Sequence, residues 1–255
     1  IVPVMALGYI LLAFIIVGMN ITHLPDVIKL IVNSAFGWEQ AIGGGIGVAL
    51  MQGIKRGLFS NEAGMGSAPN VAATADVSHP VKQGLIQTLG VFSDTLVICT
   101  CTAFIILFSG VPLGGEANGV QLTQMALDNE IGSGGSTYVA IAILFFAFSS
   151  IIGNYYYGEA NLRYITHNKI VMTILRLMTG AMVMFGALAS LDLAWSLADV
   201  CMGLMTICNL IAIVLLGKYA FRLLDDYLEQ KRQGIKNPTF TKDKMKDIEQ
   251  DIECW

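Results

Sequence analysis

The sequence has little charge for its length. Only 13% of its 255 residues are charged and 55% are hydrophobic, whereas an ordinary soluble domain has about a quarter charged residues. Of the 34 charged side chains, 16 lie in the last 38 residues, from Lys218 onward. Water is therefore not the main solvent of the first 217 residues, and we expect five or six membrane-spanning stretches between Ile1 and Tyr219.

Several patterns that carry chemistry in other proteins are also missing. The five cysteines show no C-x-x-C spacing and the three histidines are far apart, so we expect no disulfide and no metal cluster. The net charge of −4 is small, and nothing in it points to nucleic acid. Because the chain opens inside an apolar run, without the basic start of a signal peptide, we expect a truncated amino terminus.

Hydrophobic runs separated by polar connectors predict an all-α integral membrane protein with about six transmembrane helices. We expect a transmembrane domain over residues 1–219 and a charged cytoplasmic tail over 220–255. A connector at 20–33 is expected to include a short surface helix, and residues 110–136 are expected to form a polar loop. The predicted spans are residues 3–19, 38–75, 85–109, 138–158, 170–190 and 198–217.

The distribution of Lys and Arg predicts the orientation, since cytoplasmic loops have an excess of both. The tail has eight of the fifteen, and the loops at 76–84 and 158–170 have more. The loops at 110–136 and 188–193 have none. A chain that starts inside and crosses six times puts the basic loops in the cytoplasm, with only Lys29 on the wrong side. We therefore expect a multi-pass protein of the plasma membrane, that is, a bacterial or archaeal inner membrane.

The second predicted span is rich in glycine and is interrupted by Lys55-Arg56 and Ser60-Asn61-Glu62. Polar groups at membrane depth are costly unless they face a cavity or a partner, and non-helical backbone persists there only when protein or water surrounds it. The pattern therefore favours a helix broken near the middle of the bilayer, whose free peptide groups can bind a solute and a cation. A cytoplasmic loop with a helix cap is an equally good interpretation of the same residues.

Two further groups of polar residues lie inside predicted spans. Ser149 and Ser150 supply hard oxygen ligands of the kind that Na⁺ prefers, and the carbonyl of Phe146 could join them, although such hydroxyls more often bond within their own helix. Asp94 could carry a proton, pair with Lys55 or Arg56, or accept a structural hydrogen bond. We interpret the glycines at 43–57 as helix-packing residues, since GxGxxG is absent, and Asp199 and Asn209 as packing or interfacial groups.

Taken together, four stretches resemble the alanine or glycine:cation symporter family, and the resemblance extends over residues 3–217 in order. These stretches are Gly57-Leu58-Phe59-Ser60-Asn61-Glu62-Ala63-Gly64-Met65-Gly66-Ser67-Ala68-Pro69, His79-Pro80-Val81-Lys82-Gln83-Gly84, Phe92-Ser93-Asp94-Thr95 and Tyr155-Tyr156-Tyr157-Gly158-Glu159. The family has eleven transmembrane helices, an extra first helix followed by two inverted five-helix repeats of the kind found in the bacterial leucine transporter. The resemblance implies that this chain is the last helix of repeat one plus the whole of repeat two. It also implies that the rest of the transporter chain supplies the other half of the site.

The resemblance further implies a set of site residues. Phe59, Ser60, Asn61 and Gly64 match the unwound segment that contacts the amino acid, with Glu62 at the start of the inner half-helix as a structural or gating carboxylate. Ser149 and Ser150, with Phe146, match the sodium site. Asn154 stands where relatives that carry alanine or glycine often have Trp. A smaller polar side chain leaves more room, so we expect substrates to extend to serine, asparagine or glutamine.

The function expected from these residues is sodium-coupled symport of small neutral amino acids, with Na⁺ as coupling ion and no other cofactor. Proton coupling through Asp94 or Glu62 is the alternative within this class. An intramembrane enzyme would need a nucleophile with its base, or a metal cluster, on neighbouring spans, and the sequence shows no such arrangement. A non-transporting membrane subunit is the third possibility, but a purely structural bundle has no use for a polar break at depth.

Overall fold

The computed structural model describes residues 2–36, 45–112, 119–245 and 247, and these residues form helices and turns without a strand. The chain divides into two compact units: Ile1–Asn61 with Phe92–Tyr156, and Glu62–Val91 with Tyr157–Trp255. The α-helices are α1 Val2–Met19, α2 Leu24–Phe36, α3 Gly45–Asn61, α4 Ala68–Ala72, α5 Pro80–Ser93, α6 Thr100–Phe108, α7 Val120–Ile131, α8 Gly134–Ile165, α9 Lys169–Leu188 and α10 Leu191–Arg232. A π-helix, Asp94–Cys99, joins α5 to α6, and a 3₁₀ turn, Lys242–Met245, follows α10.

Among the described residues, four helices are long and apolar enough to cross a membrane. They are Pro80–Phe108, Gly134–Ile165, Lys169–Leu188 and Leu191–Arg232. The pair Pro3–Met19 and Leu24–Ala35, bent by 108°, makes a fifth if it counts as one span. All four unbroken spans were predicted from the sequence, although the structure extends most of them by several residues. Residues 38–44 of the predicted second span lie outside the described residues.

The core of the first unit lies where α1, α6 and α7 meet. Ile16, Ile105 and Leu127 are fully buried there. A Cβ on Gly135, at the start of α8, would lie 2.5 Å from the backbone carbon of Leu127, so α8 begins in direct contact with the end of α7. Glu130 of α7 accepts a hydrogen bond of 2.7 Å from Asn20.

The helix α7 corrects the prediction of a polar loop over residues 110–136. Its sequence is polar enough to resemble a loop, with two carboxylates and three amides. Glycines at both ends have positive φ, Gly119 at 57° and Gly132 at 83°, and glycine adopts this backbone without steric cost. Packing of Ala126 and Leu127 against α6 then stabilises a helix that its composition alone does not indicate.

In the second unit, α10 continues thirteen residues beyond the expected end of the transmembrane domain, to Arg232. The chain then turns at Gly234, where φ is 82°, and folds back along the helix. The backbone N–H of Phe240 donates to the carbonyl of Ser78, and the hydroxyl of Ser78 donates to the carbonyl of Pro238. At least the first part of the charged tail is therefore packed against the turn that precedes α5.

Candidate functional site

The helix that was predicted to break does end inside its polar segment. α3 ends at Asn61, and Glu62, Gly64 and Gly66 then have φ of 54°, 77° and 97°. Glu62 is the one non-glycine residue with positive φ among the described ranges. Such a conformation costs a side-chain-bearing residue about 1–2 kcal/mol, so it persists only where the surroundings impose it. We refer to residues 62–67 as the break.

The break starts later than the sequence indicates. Ser60 and Asn61 still belong to the last turn of α3, although Ser60 to Gly64 were expected to be unwound together. Glu62 likewise does not begin the inner half-helix, because the next helix, α4, begins only at Ala68. The physical reason is that no glycine, the residue that favours positive φ, lies between Gly57 and Gly64, so helical bonding continues up to Asn61.

Hydrogen bonds within the second unit hold the break in place. Asn209 of α10 donates from Nδ2 to the carbonyl of Gly64 at 2.8 Å, and Asn70 donates to the carbonyl of Gly66 at 3.1 Å. The hydroxyl of Ser67 donates to the carboxylate of Glu62. A Cβ on Gly66 would lie 2.9 Å from Cβ of Asn209. Close approach to α10 therefore requires glycine at position 66.

Sequence reasoning missed the role of Asn209, which was interpreted as a packing or interfacial group. Its amide is the partner of a carbonyl that the helix break removes from regular bonding. One signal was present in the sequence: an amide inside an apolar run can hydrogen-bond to a backbone carbonyl that a broken helix elsewhere leaves without a partner. Nothing in the pattern, however, indicated which of the two polar residues, Asp199 or Asn209, faces the break.

In the first unit, the end of α3 contacts the π-helix. Ser60 donates from Oγ to Oδ2 of Asp94 at 2.6 Å, and Asn61 donates from Nδ2 to Oγ1 of Thr95 at 2.9 Å. Oγ of Ser60 also lies 3.3 Å from Sγ of Cys99. Of the alternatives for Asp94, the structure shows a hydrogen bond to Ser60. Short π-helical segments occur frequently at functional sites, and this one begins at the residue that contacts the end of α3.

The predicted sodium ligands lie on α8. Oγ of Ser149 donates to the carbonyl of Phe146 at 2.8 Å, and Nδ2 of Asn154 donates to the carbonyl of Ser150 at 3.0 Å. These are the bonds within one helix that were the alternative interpretation of the serines. The contact nevertheless places the Ser149 and Phe146 oxygens side by side. Both oxygens can therefore face one cation when the hydroxyl proton turns away.

Asp94 and Phe146 line the same cavity, which has a volume of about 420 Å³ and lies within the first unit. Its lining is mainly apolar, and its polar groups include the hydroxyls of Tyr9 and Thr102, which hydrogen-bond to each other at 2.7 Å. Cavities of a few hundred Å³ with few polar groups are typical of small-molecule sites. The structure therefore brings one predicted coupling residue and one predicted cation ligand to a common space.

Comparison with known proteins gives a family match over nearly the whole chain. The model of the sodium:alanine symporter family matches residues 1–242. The probable sodium/glutamine symporter of Bacillus subtilis is 55% identical over 255 residues, which is 100% of this chain and 53% of that protein. The sodium/proton-dependent alanine carrier of Bacillus sp. PS3 is 41% identical over 261 residues, covering 96% of this chain and 58% of that protein.

An archaeal relative gives a similar match. The sodium/alanine symporter of Methanococcus maripaludis is 38% identical over 240 residues, covering 93% of this chain and 52% of that protein. The chain thus spans about half the length of the curated relatives it matches.

Proposed function

The chain belongs to the sodium:alanine symporter family, and from this premise we propose that it is the carboxy-terminal part of a sodium-coupled symporter that carries small neutral amino acids across the plasma membrane. The observation that carries the proposal is the break at 62–67 in an otherwise apolar chain. Irregular backbone at membrane depth is characteristic of transporter sites, where peptide dipoles bind the solute and the ion.

The proposed membrane topology has about six spans, and the segment from α3 to α4 is the span broken near the middle of the bilayer. In this arrangement α1 is the last helix of one repeat and α3 to α10 make up the second, inverted repeat. Four long apolar helices and the family match support this arrangement. Both the tail and the turn between α8 and α9 are then cytoplasmic, in keeping with their Lys and Arg content.

The proposed substrate site consists of Phe59, Ser60, Asn61, Gly64 and Asn154. The end of α3 suits the ammonium group of an amino acid, because a helix carboxy terminus has partial negative charge. Asn154 is exposed on α8 and takes the place of a larger residue in the expected pattern. Its amide offers a hydrogen-bonding wall for a polar substrate, and one relative, 55% identical, has glutamine in its name.

Ser149, Ser150 and the carbonyl of Phe146 are the proposed sodium ligands, and Na⁺ is carried with the amino acid. One charge moving down 100 mV releases about 2.3 kcal/mol, enough for roughly fifty-fold accumulation. Asp94 and Glu62 are the proposed coupling or gating carboxylates. Asp94 accepts the bond from Ser60 at the end of α3, so a change in its charge acts directly on the proposed substrate segment.

Proton coupling is the second candidate, because one relative is named a sodium/proton-dependent alanine carrier. Uptake of labelled alanine by the reconstituted full-length protein separates the two. Sodium coupling predicts uptake that needs an inward Na⁺ gradient and survives a protonophore when the membrane potential is clamped. Uptake driven by a pH gradient without Na⁺ would reject it.

A substitution at Asn154 tests the substrate site. Asn154→Trp should reduce glutamine uptake strongly while alanine uptake continues, because the larger ring narrows the pocket. Ile152→Trp is the matched control, since Ile152 is half exposed and lies on the opposite side of α8. Equal loss of both substrates in N154W, or the same selectivity change in I152W, would remove Asn154 from the site.

A further inference from the structure

A basic pocket lies at the turn between α8 and α9, and its lining residues are distinct from the residues of the proposed transport site. Its volume is about 430 Å³, and it is lined by Arg163, His167, Lys169, Met172, Thr173 and Arg176. We propose that this pocket binds the phosphate headgroup of an anionic phospholipid from the cytoplasmic leaflet. The proposal does not depend on which amino acid or ion is transported.

The shape of the pocket follows from helix periodicity. Lys169, Thr173 and Arg176 are spaced i, i+4 and i+7, so they share one face of α9, and Arg163 faces them from the end of α8. Met172, which is 9% exposed, is the buried residue of the set. Arg176 lies about 10 Å along α9 from Lys169, and a long Arg side chain at that depth reaches back toward the membrane surface.

The charges around the pocket favour an anion. Three cationic side chains line it, and Oε1 of Glu159 lies 2.6 Å from Nη2 of Arg163 and 3.9 Å from Nη2 of Arg176. Because the described lining residues include three cations and no carboxylate, the lining has an excess of positive charge. Lys169 adds to the excess in the first turn of α9, where the macrodipole already disfavours a cation and the sequence supplies no acidic residue. No electrostatic interaction within α9 therefore stabilises the charge of Lys169.

An exposed apolar stripe runs beside the cationic face and indicates a lipid rather than free phosphate. Ile170, Ile174 and Leu177 are 69%, 50% and 69% exposed, and each follows a pocket residue by one position. They form their own i, i+4, i+7 stripe next to Lys169, Thr173 and Arg176. A phospholipid whose phosphate lies in the pocket would have its acyl chains along this stripe. Basic pockets between transmembrane helices on the cytoplasmic side are known to bind such headgroups.

The test measures lipid retained by the purified full-length protein, using native mass spectrometry after equilibration with equimolar phosphatidylglycerol and phosphatidylcholine. The intact protein should retain phosphatidylglycerol preferentially. The double variant Arg163→Gln and Lys169→Gln should weaken this preference roughly twenty-fold, since each basic side chain strengthens binding to an anionic lipid several-fold. Arg232→Gln removes one positive charge from the end of α10 and should leave the preference unchanged.

A second set of measurements separates the lipid from other occupants. Inorganic phosphate at millimolar concentration should not displace phosphatidylglycerol, and displacement would assign the pocket to a soluble anion instead. The combination of Arg163→Gln with Lys169→Arg should recover several-fold of the retention that the double variant loses, because it restores one of the two charges. Retention by the double variant equal to that of the intact protein would overturn the proposal, and would indicate that other parts of the polypeptide cover the pocket.

Discussion

Two of the polar contacts of helix α10 differ in their number of hydrogen bonds and in the backbone that they support. In its apolar stretch, the single amide of Asn209 supports the break through one hydrogen bond to Gly64. In its charged end, Asp226 accepts hydrogen bonds from Gln230 at 2.8 Å, Lys244 at 3.1 Å and His79 at 3.3 Å. The first contact has one bond and strained backbone, whereas the second has several bonds to one carboxylate.

The second contact is also packed. His79 is fully buried, with its ring edge-on to Tyr227 and Phe240 at centroid distances of 5.1 and 5.7 Å. The backbone N–H of Val81 donates to Nδ1 of His79, so the ring proton of the neutral histidine lies on Nε2 and is donated to Asp226. Because Asp226 has several donors and His79 is also packed against two rings, the loss of one contact leaves the others in place. Single substitutions should therefore reduce stability and uptake strongly at the break and weakly at the docked tail.

The largest effect is expected from Gly66→Ala. A side chain there meets both a φ of 97° and the Cβ of Asn209 at 2.9 Å, so the backbone strain of about 1–3 kcal/mol adds to a steric clash. We expect a large fall in the unfolding midpoint of the full-length protein and loss of uptake. Gly84→Ala is the control, because open space surrounds Gly84. An unchanged G66A protein would show that the break does not approach α10 closely.

Asn209→Ala should come next. It leaves the Gly64 carbonyl without its amide partner in apolar surroundings, a loss of about 1–2 kcal/mol. We expect a large loss of uptake and only a small fall in the unfolding midpoint, because the break is part of the proposed site. The control is Thr206→Ala, one turn away, whose hydroxyl donates to the carbonyl of Met202 in its own helix. Equal effects of the two substitutions would contradict a specific role for Asn209.

His79→Ala should have a smaller and local effect. The variant loses two ring contacts and two hydrogen bonds, one to Asp226 and one from the backbone N–H of Val81, but Asp226 keeps Gln230 and Lys244 as donors. We expect faster hydrogen exchange in residues 233–245 with little change in the unfolding midpoint or in uptake. His167→Ala, at an exposed position, should leave the exchange of this segment as it is. Global destabilisation of H79A as large as that of N209A would reverse the order of the two regions.

The smallest effect is expected from pH. The hydrogen bond to Asp226 raises the pKa of Lys244, so the contact stabilises the docked tail below the ordinary lysine pKa of about 10.4. That contribution is lost as the pH rises through the raised value. Cleavage of residues 233–245 by a protease that is active at alkaline pH should therefore increase modestly above that value, since Lys244 is half exposed. Lys244→Gln should abolish the pH dependence, and an unchanged dependence would exclude Lys244 as its source.

These regions also differ in how far their sequences predicted them. The break was expected because Ser60, Asn61, Glu62 and Gly64 are unusual within an apolar run, and such residues need a special backbone or a partner. Its start at Glu62 was not predicted, since the last helical turn depends on which residues hydrogen-bond to it. The folding of the tail back onto Ser78 and His79 had no local signal, because its residues resemble any charged, solvated segment.

The sequence by itself determined the all-helical, membrane-spanning character of the chain, because twenty consecutive apolar residues have one stable backbone in lipid. It also indicated where a regular helix would end, since the glycines and ionisable groups at 57–66 interrupt an apolar run. Only the tertiary structure decided which hydrogen-bond partners these polar groups have: Asp94 for Ser60, Asn209 for the carbonyl of Gly64, and Asp226 for His79. Each of these pairs is separated by 34 or more positions, and no local pattern of hydrophobicity specifies which distant residue will meet a given polar group.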